Sequence, residues 1–178
     1  MKIALEGAMC TGKTTIGKLI ADKLDMPFIE EAARQALLAG FELDKNATLE
    51  SQIWMLGHQF REEMVNPKGF IADRGIISIA VYTCLNQMIR EVPKKMFLIY
   101  LRECLKEDNP YDKVIYFPPN VLKMQNDGVR SVDEKFQKML HEQYLHIFDE
   151  WKIDYYTIKT VAISDRVDEL CELIKPTL

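Results

Sequence analysis

Short apolar segments alternate with longer amphipathic segments along the whole chain. Five apolar runs of three or four residues are each closed by polar or turn-forming residues, as expected of buried strands. The predicted strands are 3–5, 27–29, 69–72, 114–117 and 155–158. Between them, apolar residues recur every three or four positions, which is the spacing of one helix face. The predicted helices are 14–24, 32–38, 47–65, 74–91, one from about Asp133 onward and one at the C-terminus.

Two of these helices have well-marked apolar stripes, and one further segment fits two structures. The predicted stripe of 47–65 is Leu49, Ile53, Leu56, Phe60 and Met64. In 74–91 the stripe runs from Ile76 to Ile89. The apolar run 96–101 fits a strand or the buried part of a helix, because a short run does not separate the two. Good helix formers at 102–107 favour the helix.

Strands that alternate with helices are typical of a parallel sheet covered on both faces. We therefore predict an α/β fold, a three-layer α/β/α sandwich around a five-stranded parallel sheet. With 178 residues and 48% hydrophobic content, the chain fits a single domain over 1–178. Ligands of such sheets bind at the carboxyl ends of the strands, so functional residues are expected there.

The residues after the first strand form a phosphate-binding motif. The segment from Gly7 to Thr14 fits G-x-x-x-x-G-K-[ST] and lies between a predicted strand and a predicted helix, the context that a P-loop requires. Its glycines let N–H groups turn toward phosphate oxygens, Lys13 reaches the β and γ phosphates, and the Thr14 hydroxyl binds Mg²⁺. We therefore expect ATP, or a close relative, and Mg²⁺ as cofactors. The predicted cofactor-binding residues are Gly7, Ala8, Met9, Cys10, Thr11, Gly12, Lys13, Thr14 and Thr15.

A polar pair, Asp73-Arg74, closes the third strand. A carboxylate at this edge can hold the water shell of Mg²⁺, and an arginine can clamp phosphate oxygens. Asp73 is therefore predicted to join Thr14 in the metal site, and Arg74 to contact the transferred phosphate. The alternative interpretation of this dipeptide is a surface ion pair.

The segment from Asp73 to Tyr82 resembles the thymidylate kinase signature, in which D-R is followed at the same spacings by serine and tyrosine. Gly75 stands where that family usually has an aromatic residue. A similar acidic–arginine–serine element occurs in deoxynucleoside kinases, and D-G-x-R at 127–130 is similar to bacterial ribosylnicotinamide kinases. The chain thus resembles the P-loop nucleoside and nucleotide kinases over nearly its whole length. The resemblance assigns Ser78 and Tyr82, with Arg74, to the acceptor site.

The same resemblance implies acceptor residues after the second strand. Such kinases keep a carboxylate near the acceptor hydroxyl and an arginine near an acceptor phosphate, and Glu30, Glu31 and Arg34 stand at these places. Glu31 is the preferred residue to accept the proton of the hydroxyl. A solvated glutamate pair at a helix N-terminus is the alternative.

The resembled kinases also imply a pocket wall and a lid. Trp54 and Phe60, on the helix before the third strand, are predicted to wall the acceptor pocket, although core packing explains them equally well. A lid is expected at 118–132, with Arg130 closing over the phosphates, against the alternative of an ordinary loop arginine. The predicted catalytic residues are Lys13, Glu31, Asp73, Arg74 and Arg130.

Charge and cysteine content narrow the choice of partners. The net charge of -4 gives no overall attraction to nucleic acid or to anionic membranes. The four cysteines are widely spaced, and no secretion signal or membrane-spanning stretch is recognised, so we expect a cytoplasmic protein. The helices 47–65 and 74–91 fit either a homodimer face or core packing.

These patterns predict a kinase that transfers the γ-phosphate of ATP to a nucleoside monophosphate or a nucleoside. The match at 73–82 favours a thymidylate-like pyrimidine deoxynucleotide, whereas the match at 127–130 favours ribosylnicotinamide or another nucleoside. The competing class is a P-loop ATPase switch that acts on a protein or nucleic-acid partner. For that class, the strand ending at Asp73 would supply the metal-binding acid.

Overall fold

Five parallel strands form one sheet at the centre of the protein. The computed structural model describes residues 1–107, 110–119 and 133–174. The strands are β1 (Lys2–Glu6), β2 (Phe28–Ile29), β3 (Phe70–Asp73), β4 (Lys113–Tyr116) and β5 (Tyr156–Thr157). Their order across the sheet is β2-β3-β1-β4-β5, and all neighbouring pairs are parallel. The predicted five-stranded parallel sheet is confirmed.

Helices cover both faces of this sheet. They are α1 (Lys13–Leu24), α2 (Ala32–Leu38), α3 (Leu49–Val65), α4 (Ile76–Leu85), α5 (Glu91–Glu107), α6 (Glu134–Glu150) and α7 (Ile163–Ile174), with a short 3₁₀ helix at Asp44–Asn46. Ile3 and Leu5 of β1 pack with α1 and α7, whereas Ala4 belongs to the larger core with α2 to α6. This alternation is that of a strand buried on both faces. The three-layer α/β/α sandwich is therefore confirmed.

The run at 96–101 lies inside helix α5. Phe97 and Leu101, four residues apart, are buried, while Met96 and Ile99 are 67% and 58% exposed. A strand would have placed residues 97, 99 and 101 on one face. The helical interpretation of this run is confirmed.

The helix predicted at 74–91 is shorter than expected. It ends before Asn86, whose side-chain oxygen accepts hydrogen bonds from the N–H groups of Met88 (2.8 Å) and Ile89 (3.2 Å). Such a local side-chain to main-chain pattern replaces helix with a turn. Residues 76–83 are buried on all sides of α4 within one chain. They cannot supply the predicted homodimer face, and the homodimer itself stays a prediction.

The buried face of α3 differs from the predicted apolar stripe. Ile53 and Met64 are 52% and 78% exposed, while Gln52, Gln59 and Glu63 are buried. The amide of Gln59 donates a hydrogen bond to the Glu63 carboxylate over 2.8 Å, so part of this polar face is satisfied internally. A prediction of the buried face from apolar residues alone does not find a face that contains buried polar residues.

Two further observations concern membrane-spanning helices and cysteines. No helix in this part of the chain has the length and apolar character needed to cross a bilayer. The four cysteines carry free thiols. The thiols thus agree with the absence of paired cysteine spacing in the sequence.

Two substitutions test the orientation of α5. We expect Leu101→Ala to lower the free energy of unfolding by about 2–5 kcal/mol, because it removes a fully buried side chain and leaves a cavity. Ile99→Ala is the matched control, and it should change this free energy by about 0.5 kcal/mol or less. Equilibrium denaturation measures both variants. Equal losses in the two would contradict the helical orientation.

Candidate active site

The phosphate-binding loop joins the central strand β1 to helix α1. Gly7 has a φ of 142°, and a Cβ there would lie 2.4 Å from the carbonyl oxygen of Phe117, so only glycine fits. Gly12, with a φ of 87°, is the N-cap of α1. The loop therefore lies at a helix N-terminus, where free N–H groups and the helix dipole favour an anion.

Lys13 bends back over this loop. Its ammonium group donates hydrogen bonds to the Ala8 carbonyl (2.6 Å) and to the Thr11 hydroxyl (3.1 Å). Burial, and then the charge of Arg74, lower the pKa of Lys13 to about 7. A phosphate bound in the loop would favour the charged form of this side chain.

The structure brings Thr14 and Asp73 together at the carboxyl edge of β1 and β3. The Thr14 hydroxyl donates to one Asp73 oxygen, and the other oxygen is buried without a hydrogen-bond partner among the described residues. Burial, followed by the nearby Glu31 carboxylate, raises the pKa of Asp73. A hydroxyl and an orphaned carboxylate oxygen suit Mg²⁺. The described residues form no cluster of three or more acidic, histidine or cysteine ligands, so nucleotide and water oxygens would complete the coordination.

Arg74 is buried at the centre of the site. Its Nη1 donates hydrogen bonds to the Gly7 carbonyl (2.8 Å) and to the Tyr144 hydroxyl (3.1 Å). Its Nε lies 2.8 Å from the Glu31 carboxylate, in an ion pair rather than a well-aligned hydrogen bond. The guanidinium also lies 5.3 Å from the ring centre of Tyr82. These contacts hold the Arg74 main chain at a φ of 77°, which is uncommon for this residue type.

A buried carboxylate that the sequence analysis missed lies beside Arg74. Glu6, the last residue of β1, accepts hydrogen bonds from the Gly75 N–H (3.0 Å) and from the Ser78 hydroxyl. The Ser78 hydroxyl also lies 2.6 Å from the Tyr144 hydroxyl. Burial raises the pKa of Glu6 to about 7, although the Ser78 hydrogen bond opposes the shift. A glutamate at the end of an apolar strand was a usable signal, whereas Tyr144 has the spacing of an ordinary core residue.

A pocket opens beside this cluster. Its lining includes Glu31, Arg74, Ser78 and Tyr82. From α3, Gln52 also lines it, with its side-chain oxygen buried and without a hydrogen-bond partner among the described residues. The lining combines apolar side chains with a few polar groups, as small-molecule sites do. Four predicted acceptor-site residues thus meet in one pocket.

Two other predicted acceptor residues lie outside the pocket lining. Glu30 is half exposed and forms an ion pair with Lys18 at 2.8 Å, a contact that lowers the pKa of Glu30. Arg34 is half-buried on α2. Thr15 of the phosphate-binding loop is exposed on α1. Glu31 alone of the glutamate pair faces the pocket.

The predicted aromatic wall is also absent from the lining of this pocket. Trp54 packs against Phe41 and stacks on His58, with ring centres 5.4 Å and 5.3 Å apart. Phe60 is half-buried and packs against the core. Both residues therefore fit the core-packing alternative. Arg130, like most of the lid predicted at 118–132, lies outside the described residues.

Tyr111 explains why glycine follows Arg74. A Cβ at Gly75 would lie 2.2 Å from the Tyr111 hydroxyl oxygen. This hydroxyl accepts a hydrogen bond from the Ile76 N–H (2.9 Å) and donates one to the Glu63 carboxylate (2.8 Å). A side chain at position 75 would displace this buried network. The aromatic residue usual in thymidylate kinases therefore has no room here.

A comparison with protein-family models matches residues 2–166 to an AAA domain. The chain belongs to this AAA domain family. No curated protein sequence matches it significantly. The match covers the phosphate-binding loop, the β3–α4 turn and all five strands of the sheet.

Solved structures share the fold of this AAA domain. The NadR protein in complex with NAD and AMP-PNP has a TM-score of 0.79 and 18% identity, over 99% of this chain and 50% of that one. Deoxyadenosine kinase from M. mycoides with bound dATP has a TM-score of 0.71 and 16% identity, over 98% of both chains. Shikimate kinase from Aquifex aeolicus has a TM-score of 0.54 and 16% identity, over 98% and 96%. The AAA domain thus has the P-loop kinase fold, and the chain spans about half the length of NadR.

Glu6→Gln tests the buried carboxyl group of this AAA domain. Its pKa of about 7 in the folded protein exceeds the ordinary 4.5, so its stabilisation is complete below about pH 4.5 and is lost as the pH rises through 7. Glutamine imitates the protonated carboxyl. We expect the wild type to lose about 3 kcal/mol of unfolding free energy relative to Glu6→Gln across this window. Denaturation at several pH values measures the difference, and a constant difference would contradict the raised pKa.

The lowered pKa of Lys13 predicts a pH-dependent affinity for nucleotide. Above about pH 7 the free protein holds this amine uncharged, so phosphate binding must take up a proton. We expect ATP affinity to fall by up to about tenfold per pH unit from pH 7.5 to 9, where ATP itself no longer titrates. Calorimetry measures the affinity, and Lys13→Ala is the control, with weaker but pH-independent binding. A flat profile in the wild type would show that Lys13 is charged throughout.

Proposed function

We propose that this AAA domain is a kinase that transfers the γ-phosphate of ATP, with Mg²⁺, to a hydroxyl group of a nucleoside. The observation that carries the proposal is the buried ion pair between Glu31 and Arg74. It lies between the phosphate-binding loop and a pocket lined by polar and apolar side chains. A base, a cation and an acceptor pocket beside a phosphate cradle are the parts that phosphoryl transfer to a bound acceptor needs.

The charges of the pocket favour a nucleoside over a nucleoside monophosphate. Arg74 is the only cationic side chain among the described residues that line the pocket. Its guanidinium already contacts the Glu31 carboxylate, the Gly7 carbonyl and the Tyr144 hydroxyl. Two carboxylates, those of Glu31 and Asp44, line the same pocket. An acceptor phosphate would therefore meet net negative charge. Arg34, the predicted partner of such a phosphate, is not part of the lining.

The polar face of α3 supports recognition of a base or a carboxamide. Gln52 is 1% exposed, and its buried side-chain oxygen lacks a hydrogen-bond partner among the described residues. An unsatisfied buried amide oxygen is costly, so a ligand that donates a hydrogen bond would be favoured. An amino or amide group of a nucleobase, or the carboxamide of ribosylnicotinamide, has such a donor.

The acceptor preferred by these features differs from the thymidylate-like nucleotide favoured by sequence. The preference for a thymidylate-like nucleotide depends on the D-R-x-x-x-S-x-x-x-Y match. Tyr111 excludes the aromatic residue that normally accompanies this match in thymidylate kinases. The fold similarity to NadR and to deoxyadenosine kinase agrees with the nucleoside alternative. We therefore propose a nucleoside acceptor, with ribosylnicotinamide and deoxynucleosides as the first candidates.

Each residue of the cluster has a distinct part in the proposed reaction. Glu31 accepts the proton of the acceptor hydroxyl, because its carboxylate faces the pocket and pairs with Arg74. Lys13 stabilises charge on the transferred phosphate, and Arg74 adds positive charge behind the loop through its contact with the Gly7 carbonyl. Thr14 and Asp73 would hold Mg²⁺, which neutralises phosphate charge when bound. Asp73 is less suited to act as the base, because Thr14 already donates to it.

The competing function is an ATPase switch, for which the family name and the acid at the end of β3 are the supporting observations. A switch needs no acceptor pocket. In a switch, the buried Glu31–Arg74 pair and the unsatisfied Gln52 oxygen would have no acceptor to bind. Acceptor dependence of turnover separates the two functions.

We expect phosphorylated product when purified protein, Mg²⁺ and ATP are mixed with nucleosides, including ribosylnicotinamide, and none with nucleoside monophosphates. Product mass and ATP consumption are the two measurements. Glu31→Gln should lower turnover by about a hundredfold or more, since it removes the base together with the negative partner of Arg74. Glu30→Gln is the matched control and should keep normal turnover, because Glu30 faces solvent.

Turnover with monophosphates alone would overturn the nucleoside assignment. Turnover that no acceptor changes would support the ATPase switch instead. Lys13→Ala, which should abolish turnover in every case, excludes a contaminating enzyme.

A further inference from the structure

Three buried side chains hold the outer side of the phosphate-binding loop. The carbonyl oxygens of Gly7, Met9 and Thr11 each accept one hydrogen bond. The donors are Arg74 Nη1 at 2.8 Å, Gln137 Nε2 at 2.7 Å and Arg166 Nη1 at 2.8 Å. They come from three separate places in the chain, the β3–α4 turn, α6 and α7. Alternate carbonyls of one short loop are thus satisfied from three directions.

This arrangement bears directly on phosphate binding. A peptide carbonyl and the N–H of the next residue belong to one planar unit, so the three held peptides carry the N–H groups of Ala8, Cys10 and Gly12. A hydrogen bond to the carbonyl strengthens the N–H of the same peptide as a donor, most of all when the bond comes from a charged group. The outer donors therefore fix the loop and increase its attraction for anions.

Arg166 is the least explained of the three donors. It is 1% exposed, and its Nε donates a second hydrogen bond, to the Thr160 carbonyl at 2.9 Å. Its Nη2 is buried without a hydrogen-bond partner among the described residues, and Glu169 acts on its charge without an ion-pair contact. A buried cation that the protein leaves without a contacting anion is costly. Phosphate charge in the adjacent loop would offset that cost.

Arg166 also connects two parts of the structure. Through Thr11 it holds the phosphate-binding loop, and through Thr160 it holds the loop between β5 and α7. Glu169 fixes this second loop independently, by accepting hydrogen bonds from the N–H groups of Lys159 and Thr160, both at 3.0 Å. The β5–α7 loop thus has its own support, and the contact to Thr11 is specific to Arg166 among the described residues of α7.

We propose that Arg166 is a positioning residue for the donor phosphates, which holds the Thr11 peptide in its binding conformation and adds positive charge behind it. Gln137 does the same, without charge, at Met9. This inference rests on the proposed function in one respect, that nucleotide phosphates are the ligand of the phosphate-binding loop. Neither residue touches the acceptor pocket in the described structure.

Binding of Mg²⁺-ATP and of Mg²⁺-tripolyphosphate, measured by calorimetry without any acceptor, tests this role. We expect Arg166→Met to weaken both ligands by a similar factor of about ten to a hundred, the effect of losing a charged hydrogen bond. Arg166→Lys, which keeps the charge, should recover part of this loss. Glu172→Gln, an exposed change on the same helix, is the control and should bind both ligands normally. In turnover, Arg166→Met should raise KM for ATP and leave KM for the acceptor unchanged.

Three results would overturn the proposal. One is tripolyphosphate binding by Arg166→Met within twofold of the wild type, since the residue would then serve only the β5–α7 loop. Another is an equal loss of tripolyphosphate affinity in Glu169→Gln, which removes hydrogen bonds from the β5–α7 loop but not from the Thr11 carbonyl. The third is an Arg166→Lys variant no better than Arg166→Met, which would exclude a role for the charge.

A second variant covers the case in which Arg166→Met does not fold. Gln137→Met removes the neutral hydrogen bond to Met9 and should weaken tripolyphosphate by about three- to tenfold. Unchanged binding by this variant would contradict the idea that the outer donors act on the loop. Because no acceptor is present, a negative acceptor panel leaves these titrations valid, and a negative result here leaves the acceptor assignment standing.

Discussion

A loop that turns its N–H groups toward a phosphate must present its carbonyl oxygens to the protein, and those oxygens need donors. The core of this protein is built around that constraint. Arg74, Gln137 and Arg166 reach the loop from three elements, and each is buried where an apolar residue would otherwise be expected. Burial of Arg74 in turn requires Glu31 and Tyr144 as partners. The buried polar groups around the loop therefore follow from its exposed carbonyl oxygens.

The buried charges are unbalanced in the absence of a ligand. Glu6, Glu31 and Asp73 face Lys13 and Arg74, and burial shifts several of these groups toward their neutral forms. The pKa of Glu6 and of Asp73 is raised, and that of Lys13 is lowered. A nucleotide and Mg²⁺ bring charges of both signs into this cluster. Under the proposed function, ligand binding and proton binding are therefore coupled through the same residues.

Local signals and distant contacts explain what the sequence could and could not predict. The strands, the phosphate-binding loop and the fold class follow from apolar runs and a contiguous motif, and the structure confirms the fold. Gln137 and Arg166 contact the loop from 128 and 155 residues away, and nothing in their local spacing distinguishes them from helix surface or core. The apolar stripe predicted for α3 was wrong for a related reason. Its buried face carries Gln52 because a pocket, rather than apolar core, lies against it.

Arg74 belongs to both halves of the candidate site. One guanidinium holds the Gly7 carbonyl of the phosphate-binding loop and pairs with Glu31 at the pocket. Removing Glu31 alone would leave the buried charge of Arg74 uncompensated, at a cost of about 3–5 kcal/mol. This cost exceeds the roughly 1–3 kcal/mol of a strained main-chain conformation, so the structure keeps Arg74 at its left-handed φ. Arg74 therefore connects the phosphate-binding loop to the pocket through a single side chain.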